Sequence, residues 1–107
     1  IDEVINSGGI KLHPQQIERK LSQVLNMHFF IGGIVDETLG EKVILALKYS
    51  PSLKLDKILE KIRGFSKLET YEIPKSIIIL PDFVETASGK IRRKQTLLLD
   101  PISVLDL

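Results

Sequence analysis

Residues 29–49 read FFIGGIVDETLGEKVILALKY, and this stretch decides the fold. Two apolar runs, 29–35 and 42–49, flank a short polar segment that contains Gly40. Two such runs joined by a short glycine-containing loop indicate an antiparallel β-hairpin. A third strand is predicted at 76–80, an isoleucine-rich run that Pro81 closes.

Apolar residues at helical spacing predict the helices that would cover this sheet. Ile17, Leu21 and Leu25 follow Pro14, which suits a first helical position, and they predict a helix over 14–25. A second apolar stripe predicts a helix over 54–67, weakened in its last turn by Gly64. A short third helix is predicted at 92–99, before Pro101.

The order of these elements predicts an α+β fold. Strand, helix, hairpin, helix, strand and helix give a small, mainly antiparallel three-stranded sheet flanked by helices, with a short N-terminal strand or loop. A chain of 107 residues, of which 43% are hydrophobic, is expected to form one domain with a real core.

Composition narrows the classes of function. Fifteen basic and fourteen acidic residues leave a net charge of +1, which gives no overall argument for a nucleic-acid or membrane partner. The cations at 90–94 keep a small nucleic-acid binder open as an alternative. The absence of cysteine excludes disulfides and thiolate metal sites and fits a cytoplasmic protein. His13 and His28 lack metal-ligand spacing, so no metal site is predicted.

Two glycine-containing loops carry the candidate chemistry. Ser88, Gly89 and Lys90 form a loop with a cation at its tip, which suits a phosphate or carboxylate ligand, although a solvated surface lysine is the plainer interpretation. Gly8 and Gly9 allow close backbone approach to a ligand, or form an ordinary turn. The spacing of a phosphate-binding P-loop is absent.

Four motifs in order carry a family resemblance over residues 1 to about 98. They are DEVINSGGIKLHPQQIE (2–18), GGIVD followed by GE (32–36 and 40–41), YEIPK (71–75) and TASGKIRR (86–93). Together they resemble the carboxy-terminal domain of the adenylate-forming acyl-CoA synthetase superfamily, which includes acyl-CoA synthetases, adenylation domains of peptide synthetases and luciferases.

The resemblance implies a two-step, AMP-forming ligase in which this chain is the C-terminal lid. A carboxylic acid would react with Mg-ATP to give an acyl-adenylate, and coenzyme A would then form the thioester. Asp2 would be the hinge, Lys90 the catalytic lysine of adenylation, and Gly8 and Gly9 the loop that lines the pantetheine channel. ATP, Mg²⁺ and coenzyme A would serve the full-length enzyme, whereas this fragment, without its N-terminal partner domain, would be inactive and bind none of them.

Other residues refine or weaken the resemblance. Tyr71 and Lys75 fall where some relatives contact the coenzyme A nucleotide, but Ile73 replaces a cation that some of them use. Val84 and Glu85 stand where the family usually has proline and a basic residue. Residues 5–14 are most similar to 2-succinylbenzoate–CoA ligases of menaquinone biosynthesis. Another acyl-CoA ligase, an adenylation domain or a non-catalytic binding module remain alternatives.

Overall fold

The computed structural model describes residues 3–107. Its elements follow in chain order: β1 (Ile5–Ser7), β2 (Ile10–Leu12), α1 (Pro14–Leu21), β3 (Phe29–Asp36), β4 (Gly40–Lys48), α2 (Leu55–Arg63), a 3₁₀ turn (Thr70–Glu72), β5 (Ser76–Leu80), α3 (Arg93–Thr96) and β6 (Ser103–Asp106).

One mixed sheet with β4 at its centre organises these elements. β3 pairs antiparallel along β4, from Phe29 opposite Leu47 to Asp36 opposite Gly40. β5 pairs parallel with β4, and β6 pairs antiparallel with β5. β1 and β2 pair antiparallel as a hairpin, and Ser7 of β1 pairs with Gly40, the first residue of β4. The predicted α+β class and the predicted hairpin are confirmed.

The predicted number of three strands is wrong, because residues 3–107 contribute six strands to the sheet. β1 and β2 are only three residues long, and the prediction treated them as one extended piece broken by glycines. β6 follows Pro101 in a tail without a regular apolar pattern, and it is paired to β5 through backbone groups. Such short strands depend on their partners for stability and leave little signal in the sequence.

The core lies on both faces of the sheet. On one face, α1 and α2 cover residues that include Val43, Leu45 and Leu47 of β4. On the other face, Ile44 and Ala46 of β4 pack in a second apolar cluster. Its other members come from β3, from β5 and from the segment that follows β5, and they include Phe30, Ile78, Leu80, Phe83, Leu97 and Leu99. Because successive side chains of a strand point to opposite faces, β4 is apolar without interruption from Val43 to Leu47.

The helices are shorter than their apolar periodicity predicts. α1 ends at Leu21 and turns follow, although Leu25 still packs in the core. α2 ends at Arg63, so the predicted continuation to 67 is wrong. Gly64 caps its C-terminus, because glycine stabilises a further helical turn poorly. α3 spans only 93–96 of the predicted 92–99.

An ion pair between Glu18 and Arg93 connects α1, β3 and α3. Arg93 donates from Nη2 to Glu18 Oε1 at 2.7 Å and from Nε to Glu18 Oε2 at 3.2 Å. The same Oε2 accepts the backbone N–H of Ile31 at 2.8 Å. The side chains are only 14% and 21% exposed, so this bidentate pair is partly protected from water.

The C-terminal strand is held by side chains as well as by backbone pairing. Ser76 Oγ donates a hydrogen bond to Asp106 Oδ1 at 2.7 Å, and Lys42 Nζ lies 3.7 Å from the same oxygen. The Ser76 hydroxyl and then the Lys42 ammonium lower the pKa of the Asp106 carboxyl below its ordinary value.

We expect Arg93→Ala to lower the free energy of unfolding by about 1–3 kcal/mol, since it leaves a partly buried carboxylate without its charged partner. Arg92→Ala is the matched control, because Arg92 is the exposed neighbour and its side chain hydrogen-bonds only to Gln95 within residues 3–107. Urea denaturation of both variants measures the difference. Equal stability of the two variants would contradict the structural role of Arg93.

We expect Asp106→Asn to lower stability at pH 7 and to lose its effect in acid. A carboxyl whose pKa is lowered in the folded state stabilises the fold when the pH is above the pKa of the unfolded chain. This contribution disappears as the pH falls through the pKa of the folded state. The difference between wild type and variant should therefore shrink as the pH falls below about 4. Urea denaturation at a series of pH values tests this, with Asp100→Asn as the control; a difference independent of pH would refute it.

Candidate functional site

The Lys90 loop is a narrow hairpin with Lys90 beside its tip. The Thr86 backbone N–H donates to Lys90 O at 2.8 Å, and the Gly89 N–H donates to Thr86 O at 2.9 Å. Gly89 has a φ of 88°, in the region that favours glycine. The Thr86 hydroxyl oxygen also accepts the Lys90 N–H at 3.0 Å. The loop predicted for 82–90 is therefore closed by hydrogen bonds between its own residues.

Buried side chains attach the base of this hairpin to the domain. Phe83 packs edge-on against Phe30, with ring centroids 5.0 Å apart. Thr96 is fully buried, and its Oγ1 accepts the Val84 N–H at 2.9 Å and donates to Arg92 O at 2.7 Å. The Arg92 N–H donates to Val84 O at 2.8 Å. The base of the hairpin is thus fixed, whereas its tip is exposed.

The side chain of Lys90 is available to a ligand. It is exposed, and its ammonium makes neither an ion pair nor a hydrogen bond with residues 3–107. Glu85 lies opposite Ile91 in an isolated bridge of the hairpin and does not pair with Lys90. Glu85, the acidic residue that departs from the family pattern, therefore does not neutralise the Lys90 ammonium.

The cations at 90–94 do not form one basic surface. Arg92 and Lys94 are exposed, but Arg93 points inward to Glu18 and also lies 3.9 Å from Glu3. One of the four charges on which the nucleic-acid alternative depends is therefore used within the fold. This arrangement weakens that alternative.

Gly8 and Gly9 form the two-residue turn of the β1–β2 hairpin. Their φ values of 60° and 85° are both positive, which is the geometry of a type I′ turn. The Gly8 N–H donates to Leu39 O at 2.8 Å, so the turn is held against the β3–β4 connection. An added Cβ at Gly9 would meet no atom within 4 Å. Backbone conformation is therefore the reason for glycine at this position, and the exposed turn leaves open space beside it.

Tyr71, Ile73 and Lys75 share an outward-facing side of the segment before β5. All three are exposed, whereas the alternating residues Glu72 and Pro74 are buried. Glu72 is anchored by Lys20, whose Nζ donates to its Oε1 at 2.6 Å. This contact raises the pKa of Lys20 above its ordinary value. The aromatic ring and the ammonium predicted as a pair thus lie on the same exposed side, with an apolar residue between them.

The two predicted glycine-containing loops remain separate within residues 3–107. The Lys90 hairpin is attached to α3, and the glycine turn is attached to the β3–β4 connection; no hydrogen bond in the described part of the chain joins them. Asp2, the predicted hinge, lies outside the described residues. Sequence reasoning missed Glu18 and Thr96 as the residues that hold the Lys90 hairpin, because their partners are distant in sequence.

Among residues 3–107, no group of three or more His, Cys, Asp and Glu side chains could hold a metal ion. None of the helices in this range is both long and apolar enough to cross a membrane.

Comparisons with known proteins agree on one class of enzyme. No family model matches the chain. A 3-oxocholest-4-en-26-oate–CoA ligase from Rhodococcus rhodochrous is 30% identical over 89 residues, which cover 80% of this chain and 16% of that protein. An oxalate–CoA ligase from Arabidopsis thaliana is 31% identical over 97 residues, covering 88% of this chain and 18% of that protein.

A solved structure supports the same relationship. The acyl-CoA synthetase (AMP-forming)/AMP-acid ligase II-like protein from Dyadobacter fermentans superposes with a TM-score of 0.75 at 31% identity. The match covers 91% of this chain and 29% of that one. The chain therefore spans less than a third of the length of these relatives. It has the fold of the carboxy-terminal domain of adenylate-forming enzymes, and its relatives include AMP-forming acid–CoA ligases.

Proposed function

We propose that this chain is the mobile C-terminal domain of an AMP-forming acid–CoA ligase, and that residues 1–107 are the lid of a larger protein. The observation that carries the proposal is the exposed ammonium of Lys90, which has no partner among residues 3–107 and lies beside the tip of a hydrogen-bonded hairpin. The domain that carries it has the fold of the carboxy-terminal domain of adenylate-forming enzymes, and its relatives include acid–CoA ligases.

Lys90 would act in the adenylation step. A carboxylate oxygen of the acid attacks the α-phosphorus of ATP, the bond to pyrophosphate breaks, and negative charge develops on the phosphoryl oxygens. An ammonium already directed at these oxygens stabilises the transition state without reorganisation. The fixed base of the hairpin, with Phe83 and Thr96 buried, supplies the positioning, and the exposed tip allows Lys90 to enter a site on the partner domain.

Gly8 and Gly9 would act in the thioester step. The sulfur of coenzyme A attacks the acyl carbonyl carbon, AMP leaves, and the thiol loses its proton. The open space beside Gly9 would let the backbone lie against the narrow pantetheine chain. Asp2 is the proposed hinge about which the domain turns between the two steps, so that the glycine turn replaces Lys90 at the reacting centre.

The nucleotide of coenzyme A would contact the exposed side formed by Tyr71, Ile73 and Lys75. A half-exposed tyrosine ring can stack on adenine, and the Lys75 ammonium can pair with a phosphate. Ile73 contributes no charge, so we propose that Lys75 alone supplies the cation on this side. ATP and Mg²⁺ would be bound by the N-terminal partner domain, and we propose no metal ligand in this chain.

The acid that we propose is 2-succinylbenzoate, because residues 5–14 are most similar to the ligases that activate it for menaquinone biosynthesis. A cytoplasmic location is proposed because a chain without cysteine fits a reducing compartment. Another acyl-CoA ligase, an adenylation domain and a non-catalytic binding module are the alternatives that the experiments below distinguish.

Lys90→Ala in the full-length protein should lower the rate of adenylation about 100- to 1,000-fold, as expected for loss of a preorganised electrostatic contact. It should largely spare thioester formation from a supplied acyl-adenylate, because Lys90 leaves the site in that step. Pyrophosphate release and acyl-CoA formation measure the two steps separately. Lys94→Ala is the matched control, since Lys94 is also exposed in this segment. Equal loss of both steps would contradict the role of Lys90.

The full-length protein, read from the gene upstream of Ile1, should release AMP when given 2-succinylbenzoate, ATP and coenzyme A. AMP release with other acids alone, such as oxalate or 4-chlorobenzoate, would retain the ligase and reject the proposed acid. The absence of an upstream ATP-binding domain would instead favour the binding module.

A further inference from the structure

A basic cavity lies at the end of the sheet opposite the glycine turn. It has a volume of about 510 Å³ and is bounded by the end of β4, the start of β3 and one side of α2. This volume falls within the range of small-molecule sites. Lys48 at its edge is eight residues along β4 from Gly40, or about 26 Å at the rise of an extended strand.

Four lysines line this cavity without an acidic residue among its lining. Lys54, Lys57 and Lys61 follow one another at the three- and four-residue spacing of one helical side, and Lys48 contributes to the lining at the end of β4. Like charges this close repel one another. In a chain with a net charge of only +1, their accumulation here is a local feature that the overall charge conceals.

Three of these lysines have free ammonium groups. Lys48 Nζ lies 3.2 Å from Asp82 Oδ1, so its charge is partly compensated. Lys54, Lys57 and Lys61 are exposed, and none of them forms an ion pair within residues 3–107. Their donors can therefore converge on an anion without breaking an existing contact.

The rest of the lining is apolar or weakly polar. Met27 and Leu53 contribute partly exposed aliphatic surface, whereas Ile58 is only 3% exposed, and Tyr49 at the edge is 50% exposed. A cavity lined only by lysines would suit a bare anion, but this one also offers surface to an apolar or aromatic group. Binding sites for small organic molecules combine these two properties.

We propose that this cavity binds a small phosphate ester with an apolar or aromatic body. The phosphate would be held by Lys54, Lys57 and Lys61, and the body would pack against Met27, Leu53 and the Tyr49 ring. The site is separate from the Lys90 hairpin, the glycine turn and the Tyr71–Lys75 side, and it does not depend on the proposed ligase function.

Titration of the 107-residue chain with phenyl phosphate, followed by amide chemical shifts, tests the proposal. Saturable shifts are expected at residues 26–28, 48–54 and 57–61. Phenyl phosphate should bind about tenfold more tightly than inorganic phosphate, because the ring adds buried apolar surface. The absence of saturable shifts, or shifts centred on residues 86–94, would overturn the proposal. Equal binding of inorganic phosphate would show an adventitious ion only and would also overturn it.

A charge-matched pair of variants separates a built site from general attraction. Lys57→Gln with Lys61→Gln should weaken phenyl phosphate binding about tenfold or more, since two charged donors are lost. Glutamine has a helix propensity close to that of lysine, so α2 should remain folded, as the amide spectrum will show. Arg63→Gln with Lys67→Gln removes the same charge outside the cavity and should change binding less than about twofold. Equal weakening by both pairs would overturn the proposal.

Discussion

Burial of β4 on both faces is the constraint on which the rest of the domain depends. Val43, Leu45 and Leu47 face α1 and α2, while Ile44 and Ala46 face the cluster around Phe30 and Phe83. A strand buried on both sides must be covered by two layers and paired along both edges. β3 and β5 supply the pairing. α1 and α2 supply one layer, and the segment that follows β5 contributes to the other. The glycine turn and the Lys90 hairpin are therefore attached to the same central strand through different neighbours.

The TASGKIRR motif contains one cation that stabilises the fold, Arg93, and one that we propose for the chemistry, Lys90. Lys90 contributes nothing to the ion pairs of residues 3–107, which leaves its charge free for a substrate. Arg93, three residues later, is directed into the domain and paired with Glu18. A free cation beside a fixed one is an arrangement suited to a lid, because the domain must keep its own structure while it presents a charge to a partner.

Much of the fold followed from local patterns, and the errors have identifiable causes. The hairpin of β3 and β4 was predictable because two long apolar runs surround one polar turn. The end of α2 was misplaced because Phe65 and Leu68 extend the apolar stripe, although they pack on the core after the helix has ended at Gly64. β6 was missed because it is only four residues long and mostly exposed, so its sequence carries little apolar pattern, although Leu105 packs on the core.

The sequence by itself determined the α+β class, the glycine turn and the presence of a lysine at a loop tip, because each depends on residues close together in the chain. Only the tertiary structure decided that Arg93 is paired while Lys90 forms no ion pair with residues 3–107, since Glu18 lies 75 residues from Arg93 in sequence. It also decided that the end of β4 and three lysines at and within α2 border one cavity. Contacts between distant segments depend on how the sheet brings those segments together, and the local sequence carries no record of that arrangement.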